Sequence, residues 1–121
     1  MIFARKRGRK WYAPKHQIEI LLPLFYNDGT PVERQKIDLT VEEVVEKFGG
    51  CRITSGEGIP AFNGYWVDEE TFYRDAVKSL IVEAPQTDAN FEFLSRLKQT
   101  LEQRFEQVEI YITALEIKRI V

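Results

Sequence analysis

One cysteine, Cys51, and one histidine, His16, stand in 121 residues. A lone thiol rules out an internal disulfide framework and any multi-thiolate zinc or iron–sulfur site. With His16 alone, neither a histidine metal site nor a histidine-driven triad is expected unless a partner chain contributes. No stretch reaches the roughly 18 apolar residues of a membrane span, and the N-terminus lacks the apolar stretch of a secretory signal. The expected protein is therefore soluble and cytoplasmic, with neither metal nor cofactor. Gly56-Glu57-Gly58 is no phosphate loop, because no Gly-Lys-Ser/Thr and no helical pattern follow it.

Enough apolar side chains are present to build a core. Hydrophobic residues make up 44% of the chain and aromatic residues 12%, which is too rich for a disordered polymer. The length suits one domain around one core. The net charge of −2 conceals an asymmetry: residues 1–16 are +6 with no acid, and the remainder is −8. Arg5, Lys6, Arg7, Arg9 and Lys10 show no apolar periodicity. Residues 1–16 are thus read as a basic extension and residues 17–121 as a single domain.

Within that domain the apolar period switches between two and about 3.6. Ile18, Ile20, Leu22 and Leu24 alternate as a strand, closed by Asn27-Asp28-Gly29. Thr40-Val41-Glu42-Glu43 has the form of a capping box, which predicts a short helix from there to Gly49-Gly50. Residues 51–67 read as a strand interrupted by Gly56, Gly58, Pro60 and Gly64, with a bulge or bend expected. Phe72 to Glu83 forms the returning strand. Thr87 or Asp88 caps a second helix running to about Phe105, with Leu94, Leu97 and Leu101 on one stripe. Val108, Ile110, Ile112 and Ala114 are expected to face inward in a last strand.

The order β-α-β-β-α-β predicts a ferredoxin-like α+β fold, a four-stranded antiparallel sheet with two helices on one face. Two helices cover only one sheet face. Leu21, Phe25, Val77, Ile81, Tyr111 and Leu115 are then left on the other, and a patch of that kind marks an interaction surface. A homodimer packed through the open face, or one that swaps C-terminal strands, is the expected solution. Trp11 and Tyr12 laid over the sheet are the alternative cover.

Several short motifs stand in a fixed order along the chain. They are Phe25-Tyr26-Asn27-Asp28-Gly29, Lys47-Phe48-Gly49-Gly50, Gly64-Tyr65-Trp66, Asp75 to Lys78, and Arg104-Phe105-Glu106-Gln107. Together they resemble a family of small bacterial proteins without assigned activity, which carries GQW and RFxQ motifs. Tyr65 replaces the Gln of the first motif, Gly49 a Pro after the helix, and Val77 a Ser. The resemblance implies the same fold and a shared site region.

Lys78 interrupts an apolar strand, and a lysine there is expensive to bury unpaired. The functional reading joins Lys78, Arg104 and Gln107 into a site for a small anionic ligand, walled by Trp66 and Tyr73. The structural reading gives Lys78 a salt bridge to Glu57, Asp75 or Glu83 and sets Arg104 against the end of a helix. Asp68, Glu69 and Glu70 fall on a hairpin tip, where solvation by water is the bland reading and acid–base work would need a desolvated carboxylate. Cys51 follows a helix C-terminus, which opposes a nucleophile role, and His16 has no adjacent nucleophile.

Three functions are compatible with these features. The first is a non-enzymatic homodimeric module that binds a protein partner or small anion. The second is a nucleic-acid-associated accessory protein using Arg5, Lys6, Arg7, Arg9 and Lys10, with Trp11 and Tyr12 to stack on bases. The acidic body opposes that use, and the tail can instead fold onto its own body or a partner. The third is a small enzyme of the dimeric α+β barrel type, for which no nucleophile–base pair is visible.

Overall fold

A computed structural model describes residues 12–56 and 58–120. The basic run Arg5–Lys10, Trp11 and Glu57 lie outside the described residues. The elements are β1 (Tyr12–Pro23), α1 (Arg34–Phe48), β2 (Arg52–Ile53), β3 (Phe62–Asp68), β4 (Thr71–Ala84), α2 (Asp88–Arg104) and β5 (Ile112–Ile120).

All pairings are antiparallel. β4 lies between β1 on one side and β2 and β3 on the other, and β5 flanks the far side of β1. β2 and β3 are two pieces of the interrupted strand expected over 51–67, which raises the strand count from four to five. β2 meets β4 at Ile81 and Leu80, while β3 meets it from Val77 to Thr71. The break carries Gly56 and Gly58 at positive φ, a conformation that an unbroken strand does not contain.

The core is the helix-facing side of the sheet closed by two helices. Ile18, Ile20 and Leu22 of β1 and Leu80, Val82 and Ala84 of β4 meet Val44 of α1 and Leu94, Leu97 and Leu101 of α2. Phe105 and Ile110 seal the end of that layer, and Phe48 and Phe93 meet edge to face across the helices at 5.4 Å. Each fully buried aliphatic chain contributes about 1.5–3 kcal/mol.

α1 starts earlier than the capping-box pattern predicts. Glu33 is its N-cap, and Thr40 lies mid-helix, fully buried. Burial decides the matter: the Thr40 hydroxyl donates one turn back to the Lys36 carbonyl at 2.8 Å and accepts from Arg104 of α2. Gly49 does end α1, at φ 88°, and its N–H bonds to the Val45 carbonyl. Thr87 caps α2, accepting from the Asn90 N–H at 3.1 Å. Thr87→Ala is expected to cost about 1 kcal/mol in denaturant unfolding with an unchanged slope.

Both terminal strands depart from the expected limits. β1 begins at Tyr12, so residues 12–16 form ladder positions against β5, from Tyr12↔Ile120 to His16↔Glu116. β5 begins only at Ile112. Ile110 is buried as expected, but Val108 is 93% exposed and Ala114 is exposed. The turn after α2, with Glu106 at φ 53°, rotates Val108 away from the core.

Candidate functional site

The β3–β4 hairpin gathers six exposed large apolar side chains. β1 pairs with β4 only as far as Pro23↔Val77, whereas β3 follows β4 outward to Asp68↔Thr71. Beyond Asp75 the sheet is therefore a two-stranded arm. Aromatic and β-branched residues favour such a ribbon because cross-strand pairs stabilise it. Trp66 stacks on Tyr73 with ring centres 4.4 Å apart on one face, and its Nε1–H donates to the Asp75 carboxylate. Tyr65 stacks on Phe72 at 5.9 Å on the opposite face. Tyr65, Val67 and Phe72 are each at least 60% exposed, and Phe62, Trp66 and Tyr73 are exposed too. Asp68, Glu69 and Glu70 crown the arm in water, with Glu69 at φ 55° in the turn.

The open face of the sheet is more polar at its centre than expected. Ser79 donates to Glu19 at 2.5 Å, Arg52 lies 3.9 Å from Glu83, and Arg52 donates to Gln17 at 3.5 Å. Val77 is buried, and Leu21 and Ile81 are half-buried. Phe25, Tyr111 and Leu115 remain exposed. Six of the exposed large apolar residues are thus gathered on the arm.

A cleft of about 280 Å³ separates the arm's base from the turn after β1, with Phe25, Tyr26 and Asn27 on one wall and Tyr73, Arg74 and Asp75 on the other. Behind it Tyr26 donates to the Glu33 carboxylate, and Lys36 Nζ donates to the Tyr26 hydroxyl at 2.6 Å and to the Arg104 carbonyl at 2.8 Å. The Glu33 carboxylate raises the Tyr26 phenol pKa, partly offset by Lys36. The same bond holds the Glu33 carboxyl below its ordinary range. The Tyr26 contribution to stability is lost as pH rises through its raised pKa, and that of Glu33 is lost as pH falls through its lowered one. In an alkaline absorbance titration, Tyr26→Phe is expected to remove the step that ionises above the ordinary tyrosine range. Loss of an ordinary step instead would contradict the bond.

The five candidate site residues fall into separate surroundings. Trp66 and Tyr73 are joined on the arm. Lys78 is buried on the helix-facing side, and its Nζ donates to the carbonyls of Thr54 and Gly56 at 2.9 and 2.8 Å. The amine is thus satisfied by the backbone of the β2–β3 break, where a carboxylate partner was expected. Arg104 Nη1 donates to Thr40 at 2.9 Å and to Glu43 at 2.5 Å, tying α2 to α1. Gln107 donates to the Phe105 carbonyl at 3.0 Å and holds the turn. The Tyr26–Glu33–Lys36 cluster escapes sequence reasoning because starting the helix at Thr40 hides the one-turn spacing of Glu33 and Lys36.

The remaining candidates have bland surroundings. Burial raises the Cys51 thiol pKa, which disfavours the thiolate. His16 is buried edge-on against Phe91 at 5.1 Å, with Glu116 4.0 Å away. Among the described residues no group of three or more His, Cys, Asp or Glu side chains is placed to hold a metal ion, and no helix is long and apolar enough to cross a membrane.

No family model matches the chain, so none supports the resemblance drawn from the GQW and RFxQ motifs, and no curated protein matches it in sequence. Solved structures do resemble it. CutA1 from Oryza sativa superposes with a TM-score of 0.56 at 14% identity, covering 89% of this chain and 84% of that one. The divalent cation tolerance protein (Cut A1) from Thermus thermophilus gives 0.57 at 15%, covering 85% and 84%. The fold is ferredoxin-like. At these identities the likeness extends to the fold alone, and the strand order around β4 and β1 agrees with it.

Proposed function

We propose that this ferredoxin-like chain is a homodimeric interaction module that carries no reaction of its own. The observation that carries the reading is the aromatic arm: six large apolar side chains are exposed on one hairpin. The six divide between the two faces of the arm; soluble monomers rarely leave apolar clusters of this kind in water, and aromatic anchors dominate association energies. A second copy is the simplest cover, since two-fold dimers are the commonest assemblies.

In this reading Trp66 and Tyr73 bind the partner, and Lys78, Arg104 and Gln107 hold the frame. A small anionic ligand is supported less well, because the Lys78 amine and the Arg104 guanidinium already have protein acceptors. Trp66→Ala is expected to weaken self-association at least tenfold, read by sedimentation across a concentration series. An unchanged dissociation constant would remove the arm from the interface.

A further inference from the structure

We infer that the arm of one copy receives the basic N-terminal segment of the other, so that each copy's tail clamps its partner. This rests on the homodimer reading and names the contact within it.

Reach excludes the intramolecular version. Tyr12 pairs with Ile120 at one end of the sheet, and the arm leaves from the other end, beyond Val77. His16 is level with Ala84. At about 3.3 Å per residue, the level of Tyr73 lies roughly 50 Å along the sheet from that of Tyr12. The chain from Tyr12 back to Arg5 spans at most about 25 Å when fully extended. Even fully extended, that length covers only about half of the distance to the same copy's arm. Two copies packed with their strands antiparallel set the N-terminus of each beside the partner's arm, and a two-fold makes the contact twice.

The chemistry fits this occupant. The segment before Tyr12 carries +5 and the rest of the chain −7. The arm offers Asp68, Glu69 and Glu70 at its tip and stacked rings along its faces. Guanidinium groups stack on such rings while pairing with neighbouring carboxylates.

The test compares the full chain with a variant carrying Arg5→Ala, Lys6→Ala, Arg7→Ala, Arg9→Ala and Lys10→Ala. Sedimentation equilibrium in low salt is expected to show at least tenfold weaker dimerisation of the variant. The difference should vanish near 1 M salt, where screening acts within about 3 Å. In a Cys51→Ser background, chains with Gly8→Cys mixed with chains with Thr71→Cys should be joined by a short bismaleimide, in preference to like-with-like pairs. A wild-type dimer with an unaffected tail variant and no mixed cross-link would overturn this inference and leave the homodimer standing. A single-chain mass for the wild type would overturn both.

Discussion

Phe105→Ala is expected to lower folding stability by about 3–5 kcal/mol, and the melting temperature by on the order of 10 °C or more. Phe105 is the C-cap residue of α2 and has no exposed surface. It packs in the same cluster as Leu101, Ile110 and the strand residues Ile20 and Leu22. Truncation removes a full ring from water-excluded surroundings and leaves a cavity that the turn after α2 fills poorly. That turn is fixed on both sides. The Phe105 carbonyl accepts from Gln107, and Lys98 bonds both Glu102 and the Ile110 carbonyl at 2.8 Å. The preceding residue, Arg104, ties α2 to Thr40 and Glu43 of α1. The whole Arg104–Gln107 segment therefore acts as a structural joint. Chemical denaturation would reveal the loss directly. A change below about 1 kcal/mol would show that the ring is not the seal of the core.

Lys78→Met is expected to cost about 2 kcal/mol, with the loss concentrated at the break between β2 and β3. The methionine keeps most of the aliphatic stem but drops two hydrogen bonds from a charged donor, to the carbonyls of Thr54 and Gly56. Bonds of that kind are each worth about 1.5–3 kcal/mol, and exposure of Ser55 and Gly56 lets water recover part of this. Hydrogen exchange should rise around residues 52–61 and stay unchanged in α2, because the anchor is local. Unchanged stability and exchange would mean that the amine is available to a ligand, which would restore the anion-binding reading of Lys78.

The fold is legible where periodicity and turn chemistry agree. Thr87, the leucine stripe of α2, Gly49 and the alternation Ile18–Leu22 all stand where the pattern puts them. It is misleading where a local signal meets tertiary packing. Thr40 looks like a cap, but its hydroxyl serves a buried helix crossing that no local pattern contains. Val108 continues the alternation of β5, yet the turn at Glu106 swings it into solvent. The glycines mark the interrupted strand, though its division into β2 and β3 on one edge of β4 depends on long-range pairing.

The site is legible only in part. Trp66 and Tyr73 do meet, because cross-strand partners sit at predictable register. Lys78, Arg104 and Gln107 can each donate to an anion, and the fold gives each its own neighbours. Tyr26, Glu33 and Lys36 carry a signal, but it spans a turn and a helix start that the Thr40 pattern displaces. The arm itself is invisible to the alternating pattern, which says that residues alternate but not that one strand outruns its neighbour.

Sedimentation equilibrium of the full chain at micromolar concentration tests the central claim most directly. A homodimer gives a mass twice the 14.2 kDa of one chain, whereas a constant 14.2 kDa across the concentration series would contradict it.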